Sequence, residues 1–384
     1  MKIAVNTRLL LKNRLEGIGW FTKETLERIT RQHPEHTFYF LFDRPFSEEF
    51  IFADNVHPLV LSPQARHPVL FYMWFEYSVT RALQKTGADL FLSPDGYLSL
   101  RTDTPSVAVI HDLNFEHRPM DLPFVDRKYY HHFFPRFAHK ARRIATVSQY
   151  SKQDIINCYG VDENKIDVVY NGANESYAPV TETEREHIRQ KYTGGKPYFL
   201  FIGALLPRKN IARLFQAFDL FKQETGLPHQ LMIVGQKKWW TDEMDKCYEG
   251  MTHKSEVVFM GRRHPDELKS LLAAAEAMTY VPLFEGFGIP IIEGMRSGVP
   301  VICSDTTSMP EVAGDAALLI DPYSIEQIKD AMKTIASDRQ LWEQMSTKGQ
   351  ERARMFSWQK TSERLWQCLE KTLNPASIVT EKIR

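Results

Sequence analysis

Short apolar runs alternate with longer amphipathic segments along the whole chain. The apolar runs are continuous, which is typical of strands that are covered on both faces of a parallel sheet. Between them, apolar residues recur at helical spacing. Strand–helix alternation of this kind predicts an α/β, doubly wound fold. In the first half, strands are predicted at KIAVNT, HTFYFLF, ADLFLS, SVAVIHD, RIATVS and IDVVYNG, and helices over residues 19–32, 68–85, 126–142 and 149–159.

The same alternation restarts after residues 174–197, a polar and charged stretch that we interpret as a linker. The 384 residues exceed the length at which one core usually keeps growing, so we expect two Rossmann-like domains that face a cleft. The second half predicts strands at YFLFIGA, HQLMIVG, EVVFMG, AMTYVPL and PVICSD, helices over 211–225, 265–275 and 289–297, a helical region over 324–373, and a frayed tail. The predicted domains are residues 1–175 with a C-terminal helix at about 357–384, and residues 176–356.

The charge balance, the cysteines and the lengths of the apolar stretches exclude several classes of function. Lysine plus arginine equals aspartate plus glutamate at 48 each, so no overall charge points to nucleic acid. The cysteines are scattered, without a C-x-x-C pair or a histidine at ligand spacing, so we expect neither disulfides nor a zinc site. They are Cys158, Cys247, Cys303 and Cys368. The N-terminus does not resemble a signal peptide, and no apolar stretch reaches about 18 residues, so the sequence favours a cytoplasmic protein without membrane spans.

Two strand ends in the first half carry candidate ligands. Gly17 and Gly19 open a helix after the first strand, where glycine allows close backbone approach and the helix N-terminus offers N–H groups to an anion. Their spacing lacks the third glycine of the dinucleotide fingerprint, and a tight turn would also explain them. His111 and Asp112 follow SVAVI, at the carboxyl end of a strand where such sheets bind ligands. A core histidine beside a capping aspartate is the alternative.

In the second half, a basic pair precedes a helix. Arg208 and Lys209 follow the strand that ends at Gly203, and Asn210 is a plausible N-cap. Two cations at a helix N-terminus oppose the helix dipole, and a bound phosphate would offset that cost. A solvated basic turn is the alternative.

The stretch EGFGIPIIEGMRSGVPVICSD places Glu285 and Glu293 on either side of a Gly-rich loop, and Pro290 fits the first turn of a helix. A carboxylate without a partner is costly in apolar surroundings, so we expect the hydroxyl groups of a ligand to be the partners of these glutamates. Two solvent-facing carboxylates near a helix N-terminus would be the structural explanation.

These four sites, in this order, resemble the retaining glycosyltransferases of the GT-B fold, in glycosyltransferase family 4. The most specific match is the E-x7-E spacing of Glu285 and Glu293 within its Gly- and Pro-containing frame. Supporting matches are GALLPRKN, TVSQYSKQDI, VVYNGAN, GIGWF and FSWQKTSERLW. The resemblance covers nearly the whole chain. It implies two Rossmann-like domains, with the last helix crossing back to the first domain.

The resemblance also implies roles for individual residues. The catalytic set would be His111 at the donor sugar or acceptor, Arg208 and Lys209 at the diphosphate, and Glu285 at the hydroxyls of the donor sugar. Glu293 would hold the ribose, and the residues after EVVFMG would meet the base. The donor-binding set is Gly17, Gly19, Gly203, Arg262, Arg263, Gly286, Phe287, Gly288, Ile289 and Glu293. Asp112 is the candidate contact to the acceptor.

The expected reaction is front-face transfer of a hexose with retention. Arg208 and Lys209 would stabilise the leaving diphosphate, so we expect no metal and no cofactor beyond the nucleotide sugar. The HDL motif at His111 resembles the mannosyltransferase branch, which favours GDP-mannose over UDP-sugars. A UDP-sugar enzyme of the same family, making another glycan or a soluble glycoside, and a non-catalytic nucleotide-sugar-binding protein are the alternatives.

The acceptor is expected to be a glycan or a lipid-linked glycan. A peripheral contact with the inner face of the membrane would suit aromatic and basic residues of the first domain, although core helices with a solvated basic end are the preferred interpretation. These residues are Phe71, Trp74, Phe133, Phe134, Arg136, Lys140, Arg142 and Arg143. The sequence does not indicate an oligomeric state.

Overall fold

A computed structural model describes residues 1–373. Within them the chain forms two compact units, which we call the N-terminal unit (residues 1–171 and 358–373) and the C-terminal unit (Gly172–Ser357). These bounds lie close to the predicted domains. The predicted frayed tail, residues 374–384, lies outside the described residues. No helix among the described residues has the length and hydrophobicity needed to span a membrane.

The N-terminal unit is built on a parallel sheet of seven strands in the order β3-β2-β1-β4-β5-β6-β7. The strand order reverses direction between β1 and β4, as in doubly wound folds, which bind ligands beyond the carboxyl ends of such strands. The strands are β1 Lys2–Asn6, β2 Thr37–Phe42, β3 Val56–Val60, β4 Leu90–Ser93, β5 Ser106–Ile110, β6 Arg143–Thr146 and β7 Ile166–Val168. The sequence did not predict β3, because Pro58 argues against a strand; the edge position tolerates it.

Six helices of this unit lie between the strands: α1 Gly17–Gln32, α2 Pro68–Met73, α3 Thr80–Thr86, α4 Asn114–His117, α5 Phe124–Lys140 and α6 Gln149–Tyr159. The predicted helix over residues 68–85 is divided by a π-helical segment, Trp74–Val79, between α2 and α3. Short 3₁₀ turns cover Glu48–Phe50, Pro119–Asp121 and Glu163–Lys165.

The aromatic residues of α5 and of the segment from α2 to α3 mostly form the core. Trp74 is fully buried and its indole N–H donates to the carbonyl of Leu61 at 3.1 Å. Phe134 is buried in the same core cluster, and Arg143 is buried in an ion pair with Asp167. The suggestion that these three residues face a membrane is therefore wrong, and the interpretation as core helices holds for them.

The C-terminal unit has a six-stranded parallel sheet in the order β10-β9-β8-β11-β12-β13. Its strands are β8 Tyr198–Ile202, β9 Gln230–Val234, β10 Val257–Gly261, β11 Ala277–Tyr280, β12 Val301–Ser304 and β13 Leu318–Ile320. Its helices are α7 Glu182–Thr193, α8 Ile211–Thr225, α9 Asp242–Glu249, α10 Pro265–Ala273, α11 Ile289–Arg296, α12 Met309–Ala313, α13 Ile325–Ser337 and α14 Arg339–Ala353, with 3₁₀ turns at Pro207–Lys209, Lys237–Trp239 and Lys254–Glu256.

The interpretation of residues 174–197 as a linker is wrong for α7. The helix is polar on most of its surface, which explains why the hydrophobic pattern missed it. Its start is nevertheless encoded locally, since Thr181 and Glu184 form a reciprocal capping box.

The last described helix, α15 Trp358–Leu373, belongs to the N-terminal unit. It packs against α1 and buries Leu365 and Leu369. A charged contact holds it as well: Asp167 of β7 lies 2.6 Å from Arg143 Nε and 3.3 Å from Lys371 Nζ. Burial alone would raise the pKa of Asp167, but the hydrogen bond and charge of Arg143, together with Lys371 and Cys368, outweigh this effect and lower the pKa.

We expect the Asp167→Asn substitution to destabilise the N-terminal unit by about 3 kcal/mol, because it leaves the buried guanidinium of Arg143 without its carboxylate. The measurement is the urea midpoint of unfolding. Glu370→Gln is the matched control, since Glu370 is an exposed acid on α15. Equal midpoints for both variants would show that the ion pair contributes little.

Candidate active site

The carboxyl edge of the C-terminal sheet is shaped by glycines. Gly203 and Gly235 follow β8 and β9 directly, and Gly261 ends β10. Gly203 N donates to the carbonyl of Val234, and Gly235 N to that of Gly261, each at 3.0 Å. A Cβ on Gly235 would overlap the carbonyl oxygen of Gly203. This edge therefore requires glycine for its own packing, in addition to any ligand role for Gly203.

The two arginines predicted to meet the base lie at the same edge of the sheet, directly after β10. Arg262 is exposed, and Arg263 Nη1 lies 3.4 Å from Glu267 at the start of α10. Neither forms part of the charged cluster around Glu285 described next.

Three charged side chains meet beyond β8 and β11. Glu285 forms ion pairs with Arg208 and with Lys209, whose Nζ lies 2.6 Å from Glu285 Oε1. Lys209 also donates to the hydroxyl of Tyr280 at 2.6 Å. The side chains of Glu285 and Lys209 are only 12% and 11% exposed, so little water screens these charges. We call Arg208, Lys209 and Glu285 the charged triad; two cations and one carboxylate leave one surplus positive charge.

The cations control the ionisation of Glu285. Burial would raise the pKa of this carboxyl group, but the positive charges of Arg208 and Lys209 outweigh burial and lower the pKa below its ordinary value. Burial and the charge of Glu285 together raise the pKa of Tyr280 well above its ordinary value, so this phenol remains neutral. Glu285 is therefore a fixed anion, and it occupies the cations that the sequence analysis assigned to a diphosphate.

Two polar loops hold the triad in place. Asn210 was predicted to cap α8, but its side chain forms no such cap. Instead, it has a left-handed backbone and donates to the carbonyls of Val281 and Pro322 at 3.0 and 2.7 Å. These bonds fix the turn that carries Arg208 and Lys209.

The second loop follows β12 and fixes the backbone of Glu285. Ser308 Oγ donates to the Glu285 carbonyl at 2.9 Å, and Glu285 N donates to Thr307 Oγ1 at 3.4 Å. The sequence analysis missed both residues. The polar run SDTTS, which begins in the last two residues of the predicted strand PVICSD, was the signal that could have found them.

In the rest of the Gly-rich loop, the groups available for ligand contact are mainly backbone groups and not side chains. Phe287 is buried and packs edge-on against Phe356, with ring centroids 5.7 Å apart. Gly288 has a φ of 94°, a left-handed conformation that favours glycine. Gly286 and Ile289 flank this turn, and α11 begins at Ile289 with Pro290 in its first turn.

Glu293 lies one turn into α11 and has a different environment. Its partner is Tyr177, a buried residue that the sequence analysis did not select. Burial raises the pKa of Glu293 to about 7, and the hydrogen bond from Tyr177 offsets only part of that effect. Two glutamates of one motif thus differ in charge state: Glu285 is ionised, whereas Glu293 titrates near neutral pH.

In the N-terminal unit, His111 directly follows β5, and its side chain is hydrogen-bonded to a backbone carbonyl group. Its Nε2 lies 2.8 Å from the carbonyl oxygen of Pro94. A carbonyl can only accept, so Nε2 carries the proton. Burial lowers the pKa of His111, and the Pro94 contact and nearby carboxylates do not fully offset it. The imidazole is therefore neutral near pH 7 and Nδ1 has the lone pair.

A buried network fixes the Pro94 carbonyl. The neighbouring Asp95 accepts from Arg8 Nε and from Asn6 Nδ2, each at 2.8 Å. The Arg8 guanidinium also lies 4.7 Å from the centroid of the Tyr97 ring. Asn6 is the last residue of β1, and the others lie just beyond β1 and β4, so two strand ends position the tautomer of His111. The sequence analysis did not single out Asn6 or Asp95.

The other predicted residues of this unit have mainly structural contacts. Gly17 begins α1 and has open space around it, whereas a Cβ on Gly19 would lie 3.0 Å from the Leu9 carbonyl oxygen. Phe21 of α1 packs edge-on against His111 with centroids 4.9 Å apart, which brings the start of α1 to the histidine. Asp112 accepts from the backbone N–H of Asn114 at 3.0 Å, a local contact at the start of α4, whose N-cap position is Leu113.

The two parallel-sheet units are Rossmann-like domains of the GT-B glycosyltransferase type. The glycosyltransferase family 4 model matches residues 15–177, and the group 1 glycosyl transferase model matches residues 182–352. The chain belongs to glycosyltransferase family 4, as the sequence motifs predicted, and it is a hexosyltransferase.

Named relatives and solved structures agree with this assignment. The chain is 29% identical to O-antigen chain mannosyltransferase B of Escherichia coli over 97% of this chain and 99% of that protein. It is 30% identical to O-antigen chain mannosyltransferase RfbU of Salmonella typhimurium, over 70% of this chain and 71% of that protein. Its fold is similar to that of Anabaena Alr3699/HepE in complex with UDP and glucose, with a TM-score of 0.75, 17% identity and coverage of 96% and 99%.

The environment of Glu293 predicts a pH-dependent effect on stability. In the unfolded chain this carboxyl group ionises near its ordinary pKa of 4.5, whereas in the folded protein it keeps its proton up to about pH 7. Folding stability therefore decreases as the pH rises between these values, by about 3 kcal/mol in total. Because glutamine does not titrate, Glu293→Gln should gain about this much stability relative to the unmodified protein between about pH 4 and pH 8.

Urea unfolding at both pH values measures the effect. Glu186→Gln is the control, since Glu186 is an exposed acid on α7 of the same unit. A stability difference between Glu293→Gln and the unmodified protein that does not change with pH would contradict the raised pKa.

Proposed function

We propose that this enzyme transfers mannose from GDP-mannose to a glycan or lipid-linked acceptor, with retention of the anomeric configuration and without a metal ion. The observation that carries the proposal is the charged triad, because its surplus positive charge is desolvated and suited to an anionic leaving group. The preference for mannose rests on the HDL motif at His111 and on the relatives named as mannosyltransferases.

The donor would bind through both glutamates. Glu293 would accept hydrogen bonds from the ribose hydroxyls, and Glu285 from hydroxyls of the sugar. Arg208 and Lys209 would bind the diphosphate oxygens, exchanging part of their contact with Glu285 for contact with the phosphate. The backbone N–H groups from Gly286 to Ile289 would add donors beside the sugar.

Transfer would break the bond between the anomeric carbon and the phosphate oxygen, and the electron pair would remain on the diphosphate. The acceptor hydroxyl oxygen would bond to the same face of the anomeric carbon, and its proton would pass to the departing phosphate oxygen. Positive charges already in place stabilise the developing negative charge without reorganisation. Glu285 would act as a hydroxyl acceptor and not as a covalent nucleophile, because it is ion-paired to both cations.

His111 would contribute as a neutral hydrogen-bond acceptor. Its Nδ1 lone pair can accept from a hydroxyl of the donor sugar or of the acceptor, since Nε2 is committed to Pro94. The Arg8–Asp95 pair would serve as a positioning element for this tautomer.

Thermal shift measurements with GDP, UDP and ADP test the donor base, since a ligand of the folded state raises the melting temperature. We expect GDP to give the largest shift, and GDP-mannose to yield an α-linked product by NMR. A larger increase in melting temperature with UDP would contradict GDP-mannose and indicate a UDP-sugar donor. An inverted anomeric centre would contradict front-face transfer.

The two glutamates should be separable by kinetics. Glu285→Gln is expected to lower turnover by roughly 100- to 1,000-fold, the scale of losing one stabilising group at the reacting centre, with a smaller effect on GDP affinity. Glu293→Ala should mainly weaken GDP binding. Glu186→Gln is again the control. Unchanged kinetics in both variants would overturn the assigned roles.

A peripheral membrane contact would suit the enzyme if its acceptor is lipid-linked at the cytoplasmic face of the membrane. The segment from Met120 to Val125, which ends in the first residues of α5, exposes three apolar side chains: Met120, Phe124 and Val125 are 81%, 58% and 51% exposed. Lys128 and Arg127 lie beside them, with their charged groups 4.5 and 5.5 Å from the Phe124 ring centroid. Exposed apolar residues flanked by cations are typical of surfaces that bind anionic lipid.

Flotation with vesicles that contain anionic lipid tests this contact. We expect the protein to float with the vesicles at low salt, and the double variant Met120→Ser/Phe124→Ser to remain in solution. Val60→Ser removes an equally exposed apolar side chain from the edge strand β3 and should float normally. If the unmodified protein does not float, or if both variants behave alike, the segment does not bind membranes.

A further inference from the structure

The N-terminal unit contains a cluster of potential metal ligands outside the candidate active site. His117 ends α4, while Asp154 and Cys158 lie one turn apart on α6. His117 Nε2 is 2.7 Å from Asp154 Oδ1, and Cys158 Sγ is 3.6 Å from the same oxygen. The three ligand atoms all lie within 4.8 Å of one another. We call these residues the 117–154–158 cluster.

Asp154, the buried member of the cluster, has one carboxylate oxygen that the described part of the protein does not satisfy. Its side chain is only 9% exposed. One carboxylate oxygen, Oδ2, is buried and has no hydrogen-bond partner among the described residues. An unsatisfied buried carboxylate oxygen is costly, and a cation bound by the carboxylate would compensate its charge. His117 and Cys158 are exposed, so an ion could reach the cluster from solvent.

We propose that the 117–154–158 cluster binds a divalent zinc ion. Histidine nitrogen, carboxylate oxygen and cysteine sulfur are the ligand atoms that zinc prefers, and a water molecule can supply the fourth position. Tetrahedral zinc, with bonds of about 2.0 to 2.2 Å to nitrogen and oxygen and about 2.3 Å to sulfur, separates neighbouring ligand atoms by roughly 3.3 to 3.7 Å. The existing spacings need only small side-chain shifts to reach these values. On binding, the thiol would release its proton to solvent, and the thiolate would bond to the metal.

The zinc would connect α4 to α6, and it takes no part in the proposed transfer. Both helices adjoin the candidate site: α4 begins two residues after Asp112, and Ser151 of α6 donates to the His111 carbonyl at 3.2 Å. The site would therefore stabilise the framework around His111. Sequence spacing did not indicate it, because the ligands come from two separate helices and no C-x-x-C pair is present.

A second group of metal-ligating side chains, His33, Glu35 and His36, is a weaker candidate. Its carboxylate is 59% exposed, and the His33 ring is stacked on Trp366 at a centroid distance of 3.7 Å. That contact already gives the imidazole a structural role.

Cobalt titration of the full-length protein tests the proposal. Co²⁺ should give a thiolate-to-metal charge-transfer band that saturates at one ion per chain, and Zn²⁺ should displace it. Cys158→Ser should abolish the band, and His117→Ala should weaken cobalt binding by more than about 10- to 100-fold, the loss typical of removing a group that only orients a ligand. Cys247→Ser is the matched control, because Cys247 is also partly exposed but belongs to no such group among the described residues.

Alkylation of the unmodified protein gives a readout that does not depend on the folding of a variant. Zinc should protect Cys158 from a thiol reagent and leave the labelling of Cys247 unchanged, as measured by mass spectrometry. Equal protection of both cysteines, no protection of Cys158, or a cobalt band that persists in Cys158→Ser would each overturn the proposal.

Discussion

Burying two cations and a carboxylate beyond one sheet edge is the constraint on which the C-terminal unit depends. Arg208, Lys209 and Glu285 lose most of their hydration, and mutual pairing must replace it. The ion pairs form only if the turn after β8 and the loop after β11 keep fixed positions relative to each other. This requirement gives a physical reason for the unusual backbone of Asn210 and for its bonds to the carbonyls of Val281 and Pro322. The hydrogen bonds of Asn210 therefore stabilise the positions of the charged triad, beyond what packing of the hydrophobic core requires.

In the N-terminal unit, the central polar group is His111, and it carries no charge. His111 is kept neutral by burial, and a backbone carbonyl fixes its tautomer. The charges lie one layer away, in the Arg8–Asp95 pair, where they order the segment that carries Pro94. A carbonyl does not titrate, so this orientation persists across the neutral pH range. Such an imidazole is suited to accepting a hydrogen bond and not to donating a proton from a charged form.

Hydrophobic periodicity predicted most of the fold, because buried parallel strands and amphipathic helices have distinct patterns. It failed where another effect determines the structure. The helix α7 is stabilised at its start by a capping box and has little apolar periodicity, and Pro58 is tolerated in β3 because that strand is at the edge. In the candidate site, the strand ends indicated which residues were present, but not their partners. The ion pair between Arg208 and Glu285 joins residues 77 positions apart, and Tyr177 and Asp95 became visible only through contacts distant in sequence.

The E-x7-E motif illustrates why residue type does not determine charge state. Glu285 and Glu293 are both largely withdrawn from water, so burial raises the pKa of each. Two cations reverse that effect at Glu285, whereas a single neutral phenol at Glu293 does not. Glu285 therefore stays an anion and can only accept hydrogen bonds. Glu293 exchanges its proton near neutral pH, and ribose hydroxyls that donate to the carboxylate would favour its ionised form. Nucleotide binding at this position would consequently be coupled to release of a proton, because within residues 1–373 no cation offsets the effect of burial on the pKa of Glu293.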